Sequence, residues 1–366
     1  MGDHPHLPDY GGACISNVVP ALLEPGDEPP SWLPAPAVDA NQVVLLVLDG
    51  LGWDQLAPRR ALAPTLSAMA GGPISTVVPS TTATALTSLA TGLAPGDHGV
   101  VGYRVHVEGE VLNVLRWSTQ SGDARGRIIP LDFQPHAAFC GHRPPIVTKA
   151  EFATSGFSGA HLSEVRFNGY RMASTLVTEV KRILAAGEPF IYAYYDGIDK
   201  VAHEYGIREH YDAELVAADR LVADLVSVLP RDATLVVTAD HGQVDVGDHL
   251  IELHPEVRSH VRLQSGEARF RWLHARSGRA GALLESAQTH HGDQAWVRSR
   301  AEIILEGWFG PRLSEVAAHR LGDVALVAQG DGAFVDPADS GPFVLVGRHG
   351  SLTSAEMRVP LLAACG

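Results

Sequence analysis

The sequence contains few cysteines, fewer basic than acidic residues and no long apolar run. Its three cysteines, Cys14, Cys140 and Cys365, lie far apart without a CxxC spacing, which argues against a disulfide framework and against a four-thiolate zinc site. The chain has 28 Lys and Arg but 42 Asp and Glu, which gives a net charge of -14. Because nucleic acids and anionic membranes are themselves negative, we expect neither as a partner.

Targeting signals are also lacking. No stretch approaches the roughly 20 apolar residues of a membrane span. The start "MGDHPHLPDYGG" has neither the basic nor the apolar region of a signal peptide. We therefore expect a cytoplasmic protein that acts on small molecules, and the sequence leaves its oligomeric state open.

The apolar residues that are present occur in short continuous runs, which are typical of strands covered by helices on both faces of a parallel sheet. Four such runs are "QVVLLVLDG", "PFIYAYYDG", "ATLVVTADHG" and "PFVLVGRHG". Helical periodicity appears between them, in "MASTLVTEVKRILAAG" and "DAELVAADRLVADLVSVL". This alternation predicts a doubly wound α/β core with a mostly parallel central sheet and helices on both faces.

The domain organisation follows from where this alternation holds. Residues 1–40 are rich in proline and predict an N-terminal arm on the surface. Residues 41–253 and 338–366 form the predicted core. Residues 104–166 and 254–337 fit the alternation poorly, and we interpret 254–337 as an inserted, smaller α+β cap that sets the leaving group. Within it "AWVRSRAEIILEG" is expected to be helical, and His274, His290 and His291 to be solvated.

Carboxylates or imidazoles stand at the carboxyl end of each apolar run, the edge where open α/β sheets bind ligands. These residues are Asp49, Asp199, Asp240, His241 and His349. Asp199 and His203 are four residues apart, so on a helix both side chains project from one face. Each residue alone is as readily a turn former, a helix cap or a structural histidine. Together they suit zinc or another first-row divalent ion, because carboxylates and imidazoles occur without a thiolate.

The stretch "PSTTATALTSLATG" is unusually rich in hydroxyl groups. It predicts a turn followed by a short helix that begins near Thr82 and ends at Gly92. The start of a helix offers free N–H groups to an anion, and a neighbouring metal would favour the alkoxide of a nucleophilic Thr. We expect Ser80 and Thr81 to be helix caps, and the later hydroxyls to be helix-surface or back-bonding groups, namely Thr84, Thr87, Ser88 and Thr91.

Six motifs in order resemble the alkaline phosphatase superfamily, in its nucleotide pyrophosphatase/phosphodiesterase branch. They are "LDG", "PSTTATALTSLATG", "APGDHGVVGY", "YYDGIDKVAH", "TADHG" and "GRHGSLTSAEMRVPLL". The resemblance runs from about Val43 to Leu362 and implies that Thr82 is the nucleophile. It further implies two zinc ions, one held by Asp49, Asp240, His241 and Thr82, the other by Asp199, His203 and His349.

The chain departs from this branch near the phosphoryl pocket. Tyr103 stands where the branch usually carries an Asn that helps to hold a phosphoryl oxygen, and a phenol can donate one hydrogen bond there. The branch's "PNH" after the nucleophile is replaced by Thr84, Ala85 and Leu86. His98 is expected to be structural.

The resulting hypothesis is a two-metal hydrolase that cleaves phosphodiester or pyrophosphate-type bonds of a small substrate through a covalent phosphothreonine. A phosphomonoesterase or phosphonate hydrolase of the same superfamily is the first alternative. A non-catalytic metal-binding sensor is the second, although all seven metal-site positions are filled.

Overall fold

The computed structural model describes residues 4–38, 40–339 and 345–366. Its α-helices are Val18–Leu23, Trp53–Leu56, Pro64–Ala68, Thr82–Thr91, Pro95–His98, Pro130–Phe133, Gly156–His161, Ala173–Ala185, Gly197–Tyr205, Glu209–Ser227, Pro255–His260, Ala280–His291, Arg300–Leu305, Glu315–Arg320 and Ser354–Met357. Within the described ranges, no helix is both long and apolar enough to cross a membrane.

A seven-stranded sheet forms the centre of the molecule. Its strands, in spatial order, are Ala70–Ser75, Arg358–Cys365, Ala233–Thr238, Gln42–Leu48, Phe190–Tyr195, Pro145–Lys149 and Arg166–Tyr170. All pairings are parallel except those of Arg358–Cys365, which is antiparallel to both of its neighbours. Gln42–Leu48 and Ala233–Thr238 are almost entirely buried, as their continuous apolar sequences predict. The doubly wound, mostly parallel α/β class is confirmed.

Three strands of this sheet were not predicted, namely Pro145–Lys149, Arg166–Tyr170 and Arg358–Cys365. The first lies in the segment 104–166, which carries little continuous apolar sequence, and the second begins at its last residue. The rest of that segment adds a four-stranded antiparallel sheet made of Arg104–Val107, Glu110–Asn113, Ser118–Thr119 and Gly122–Asp123. The segment therefore contributes to the core as well as to the surface.

The strand predicted from "PFVLVGRHG" is wrong where the structure describes it. Residues 340–344, which include its first part, lie outside the described residues. Leu345 and Val346 are not in a strand, and Gly347–Arg348 pairs only with Val244–Asp245 in a separate two-stranded sheet. Arg358–Cys365 occupies the place beside Ala233–Thr238 instead.

The segment 254–337 has its own four-stranded antiparallel sheet, in the order Val261–Glu267, Phe270–Ala275, Val324–Ala328 and Ala295–Ser299. One group of its buried apolar residues, which includes Val261, Leu273 and Leu326, forms a cluster of its own, whereas Phe270 and Trp272 belong to the main core. Another small sheet pairs Leu250–Ile251 with Ala333–Phe334. The predicted helix in "AWVRSRAEIILEG" is a strand in its first half, and the helix begins only at Arg300, after a capping box of Ser299 and Glu302.

Two of the histidines expected to be solvated in this segment are buried. His274 Nε2 lies 2.8 Å from the Ser265 hydroxyl, and His291 Nε2 accepts a 3.1 Å hydrogen bond from the backbone N–H of His254. The N-terminal segment is likewise more than a surface arm, since Cys14, Ile15 and Val18 are fully buried. The domain boundaries themselves stay a prediction.

Candidate active site

The predicted site residues meet at the carboxyl edge of the central sheet. Ligand atoms of Asp49, Asp240 and His241 lie within 4.8 Å of one another, and so do those of Asp199, His241 and His349. Asp49 directly follows one strand, and Asp240 and His241 follow Ala239 at the end of the adjacent parallel strand. The helix Gly197–Tyr205 carries Asp199 and His203 on one face.

The first group of side chains surrounds the imidazole of His241. Its Nε2 lies 3.1 Å from Thr82 Oγ1 and 3.4 Å from both Asp49 Oδ1 and Asp240 Oδ2. Asp240 Oδ1 accepts 3.1 Å hydrogen bonds from the backbone N–H groups of Gly50 and His241. The Tyr194 hydroxyl donates to Asp49 Oδ2. One oxygen of each carboxylate is thus fixed, while Asp49 Oδ1 and Asp240 Oδ2 are buried and have no hydrogen-bond partner in the described chain.

The second group surrounds Asp199. Its Oδ1 lies 3.3 Å from His203 Nε2 and 3.7 Å from His349 Nε2. The Gln243 amide donates to the same oxygen. Gly50 has a positive φ of 76°, and a Cβ there would stand 2.9 Å from Asp199 Cα. The close approach of the two groups therefore requires glycine in "LDG".

Backbone carbonyls orient all three imidazoles. The Nδ1 atoms of His203, His241 and His349 lie 2.7, 3.0 and 2.9 Å from the carbonyl oxygens of Gly347, Gly242 and Ser80. Because a carbonyl only accepts, Nδ1 carries hydrogen, and in the neutral ring Nε2 holds a lone pair. Each lone pair then faces carboxylate oxygens, an arrangement that is repulsive unless a cation lies between them.

The pKa shifts of these groups also indicate a cation site. Burial, followed by the charges of Asp240 and Asp199, raises the pKa of Asp49 well above its usual range. Burial is also the main cause that raises the pKa of Asp240. Burial, with His241 and His203 nearby, lowers the pKa of His349 well below that of free imidazole. A buried cluster of carboxylates and neutral imidazoles fits a bound divalent ion, which would compensate the carboxylate charge.

Thr82 is the first residue of the helix Thr82–Thr91, which ends at Gly92 in the left-handed conformation, as predicted. The expected side-chain caps are wrong. Thr81 occupies the cap position without a side-chain cap bond, and Ser80 Oγ donates instead to the Ser351 carbonyl and accepts from Gly350 N–H. Ser80 therefore joins the turn before Thr82 to the loop that carries His349.

The later hydroxyls of this helix are structural. Thr87 and Thr91 donate to the carbonyls of Ala83 and Thr87, at 2.7 Å each, in the expected back-bonding pattern. Ser88 Oγ lies 2.8 Å from His98 Nε2, and burial lowers the pKa of His98 to about 3. His98 is therefore a neutral residue of the interior, as expected.

A cavity of about 210 Å³ opens beside Thr82, Asp49 and Asp199. Its apolar lining includes Leu86, Leu115, Phe152, Phe157, Leu162 and Tyr194. All of its lining residues fall between 49 and 200, so among described residues the segment 254–337 contributes none. Residues 148–162 supply one wall of the cavity, and we call them the cavity wall. That the segment 254–337 sets the leaving group stays a prediction.

Charged residues also line this cavity. Asp196 accepts 2.7 Å ion pairs from both Lys149 and Lys200. Lys200 lines the cavity together with Asp199. Because one carboxylate pairs with two ammonium groups, the three side chains carry one net positive charge.

Sequence reasoning missed three side chains that support the site: Tyr194, Gln243 and Asn113. The first two hold Asp49 and Asp199, and the third donates a 2.6 Å hydrogen bond to the Tyr103 hydroxyl. Gln243 directly follows the "DHG" motif, and that position could have identified it as a site residue. No sequence feature identifies Tyr194 or Asn113, because their hydrogen-bond partners are distant in sequence or on another strand.

The structure combines a doubly wound α/β fold with groups of carboxylates and imidazoles that could hold metal ions at the carboxyl edge of its sheet. The sequence model of the type I phosphodiesterase / nucleotide pyrophosphatase family matches residues 43–352, and the chain belongs to this family. No curated protein matches the chain in sequence.

Solved structures share the fold at low identity. Murine ectonucleotide pyrophosphatase / phosphodiesterase 5 is 17% identical with a TM-score of 0.67, and the match covers 88% of this chain and 87% of the murine one. An inactive threonine-to-alanine variant of that protein, in complex with AMP, has a TM-score of 0.65 at 17% identity over the same shares. Phosphonoacetate hydrolase from Sinorhizobium meliloti 1021, in complex with phosphonoformate, is 17% identical with a TM-score of 0.61, covering 89% of this chain and 90% of that one.

Proposed function

We propose that this protein is a two-metal phosphoester hydrolase that cleaves phosphodiester or pyrophosphate-type bonds, with Thr82 as its nucleophile. The observation that carries the proposal is the buried Nε2 lone pair of His241, which faces the unpartnered oxygens Asp49 Oδ1 and Asp240 Oδ2 next to the Thr82 hydroxyl. The inactive threonine-to-alanine variant of the murine neighbour supports a catalytic threonine. The cytoplasmic location and the absence of polymeric partners stay predictions from the sequence.

Two divalent ions fit these side chains, and zinc suits the nitrogen and oxygen ligands. Asp49, Asp240, His241 and Thr82 would hold one ion, and Asp199, His203 and His349 the other. The bound ions would supply positive charge that stabilises the threonine alkoxide and the phosphoryl oxygens.

The reaction then consists of two displacements at phosphorus. Thr82 Oγ1 loses its proton to solvent and attacks phosphorus, the Oγ1–P bond forms, and the P–O bond to the leaving group breaks. The leaving oxygen departs with the electron pair and takes a proton from solvent. Water next attacks the phosphothreonine, a P–O bond to the water oxygen forms as the Oγ1–P bond breaks, and one proton of that water restores the Thr82 hydroxyl while the other stays with the product. The helix N-terminus at Thr82 offers backbone N–H groups to the phosphoryl oxygens.

The small number of cations at the cavity favours a diester over a monoester, because a monoester carries nearly two negative charges near pH 8. Arg104 is buried in ion pairs with Asp336 and Asp339. Arg348 does not line the cavity. Lys200 does line it, and because Asp196 also pairs with Lys149, these three groups carry one net positive charge. The apolar cavity can hold the second substituent that a diester carries.

The test compares kcat/KM on matched p-nitrophenyl phosphodiester, phosphomonoester, phosphonate and sulfate esters, with bound metal measured in the same preparation. We expect two divalent ions per chain and a clear diester preference. A monoester or phosphonate preference would reject the phosphodiesterase assignment and leave the Thr82 mechanism in place. Bound metal with no turnover on any ester would favour the sensor alternative.

A further inference from the structure

Tyr103 and Asn113 face each other across a hairpin near the nucleophile. Arg104, next to Tyr103, pairs with Asn113 in the antiparallel ladder, and the N–H of Val114 donates to the Tyr103 carbonyl at 2.9 Å. Both side chains are half-buried. The hairpin thus fixes the two side chains next to each other.

Chain neighbours of this pair lie beside the nucleophile turn and the cavity. A Cβ on Gly102 would lie 3.9 Å from the ring of Pro79, three residues before Thr82. Leu115 follows Asn113 by two residues and lines the cavity together with Thr82.

The orientation of the Asn113 amide is determined by a backbone group. Its Oδ1 lies 3.0 Å from the N–H of Arg116, which can only donate. The amide nitrogen must therefore face the Tyr103 hydroxyl, 2.6 Å away, and it can only donate there. In the opposite orientation, the NH₂ group of Asn113 would face the Arg116 N–H, and both groups can only donate.

The Arg116 N–H is itself held in place by its neighbour. Trp117 is fully buried and its indole N–H donates to the Ile128 carbonyl at 2.7 Å. A Cβ on Gly156 would overlap the Trp117 ring at 2.2 Å, so the cavity wall packs directly on this tryptophan. The turn that fixes the amide is rigid for these reasons.

The phenol of Tyr103 therefore receives a hydrogen bond through its oxygen and keeps its own hydrogen available. Within the described part of the chain no acceptor for that hydrogen is found. We propose that Asn113 is a positioning residue that forces Tyr103 to act as a donor, so that the phenolic hydrogen is directed to a phosphoryl oxygen of the substrate. This inference rests on the proposed function and on the sequence-based prediction that Tyr103 contacts that oxygen.

The discriminating variant is Asn113→Asp. The carboxylate keeps the bond from the Arg116 N–H, yet its second oxygen accepts the phenolic hydrogen and withdraws it from the substrate. Asn113→Leu loses both bonds but leaves the phenol free to donate. If Asn113 were merely structural, Asn113→Leu would lower kcat/KM more than Asn113→Asp. If Asn113 directs the Tyr103 hydrogen, Asn113→Asp would lower kcat/KM more.

We expect Tyr103→Phe and Asn113→Asp to lower kcat/KM on the phosphodiester by about 10- to 100-fold, the range for one hydrogen bond to a developing charge. Asn113→Leu should lose only a few-fold. In the Tyr103→Phe background, Asn113→Asp should add little, because the hydrogen it withdraws is already gone. Asn168→Asp, which adds the same charge at the sheet edge, serves as the control and should match wild type.

Binding of inorganic phosphate to the zinc-loaded proteins, measured by calorimetry, should follow the same order as kcat/KM. This inference alone is overturned if wild type is active but Asn113→Leu has a lower kcat/KM than Asn113→Asp. It is also overturned if the losses of kcat/KM from Tyr103→Phe and Asn113→Asp add in the double variant. A wild type that neither hydrolyses phosphoesters nor binds phosphate overturns it together with the proposed function.

Discussion

Replacing Asp240 by Asn should change stability in opposite directions with and without metal. Ligand oxygens of Asp49 and Asp240 lie within 4.8 Å of each other, and two ionised carboxylates at that distance repel by about 3.5 kcal/mol at an effective dielectric constant of about 20. In Asp240→Asn the amide oxygen can keep the bonds from Gly50 and His241, while its NH₂ group faces Asp49 Oδ1. Repulsion is thereby replaced by a hydrogen bond.

The metal-free variant should accordingly melt several degrees above metal-free wild type, at about 2 °C per kcal/mol for a chain of this size. With zinc the order should invert, because each ion present at about 100 times its Kd stabilises the native protein by about 2.7 kcal/mol and the variant holds one ion poorly. The folded pKa values of Asp49 and Asp240 are raised, so metal-free wild type keeps its stability below pH ~4 and loses it as pH rises toward those values. The advantage of the variant should grow over the same range.

Thermal melting of both proteins in excess chelator and in excess zinc, between pH 5 and 9, measures this directly. Asn at position 240 should also reduce turnover by several orders of magnitude. The reasoning is refuted if chelation leaves the melting temperature of wild type unchanged while Asp240→Asn is equally destabilised in both conditions. In that case the carboxylates would be stabilised by the protein alone and would not form a metal site.

Three further outcomes follow from the site and its surroundings. Thr82→Ala should reduce turnover by several orders of magnitude with metal content retained, whereas Thr81→Ala stays active; the reverse result would move the nucleophile by one residue. Burial raises the pKa of Glu267 to about 8. Between about pH 5 and 8, wild type should therefore lose about 1.4 kcal/mol of unfolding free energy per pH unit relative to Glu267→Gln. The same pH dependence of unfolding free energy in both proteins would contradict this. Phe152→Ala should raise KM about tenfold for an aryl diester and little for a methyl ester, and equal effects on both would show that the cavity does not bind the substituent.

The sequence predicted the parts of the site that depend on strand ends. Continuous apolar runs ending in Asp49 and Asp240 identify buried parallel strands, and parallel strands bring their carboxyl ends to one edge. The four-residue spacing of Asp199 and His203 predicts that both side chains lie on one face of a helix. These features are local, which is why they were visible.

The parts that were missed depend on contacts between distant segments. The run before His349 has strand-like composition, but Arg358–Cys365 competes for the same place in the sheet and occupies it. Strand Arg166–Tyr170 is an edge strand of mixed polarity, so its sequence lacks an apolar run. The cavity wall could not be assigned because its position depends on how residues 145–170 pack, and not on any motif.

The way the cavity wall is anchored has a consequence for how substrates enter. Its two short helical pieces, Ala150–Thr154 and Gly156–His161, stand between Pro145–Lys149 and Arg166–Tyr170, which pair with each other at the sheet edge. Both ends of the wall are fixed by that pairing, and Gly156 packs against the buried Trp117 ring, so we expect the wall to move little. Its amides should exchange hydrogen together with the edge strands, and selection among leaving groups should depend on the shape of a preformed pocket with little induced closure.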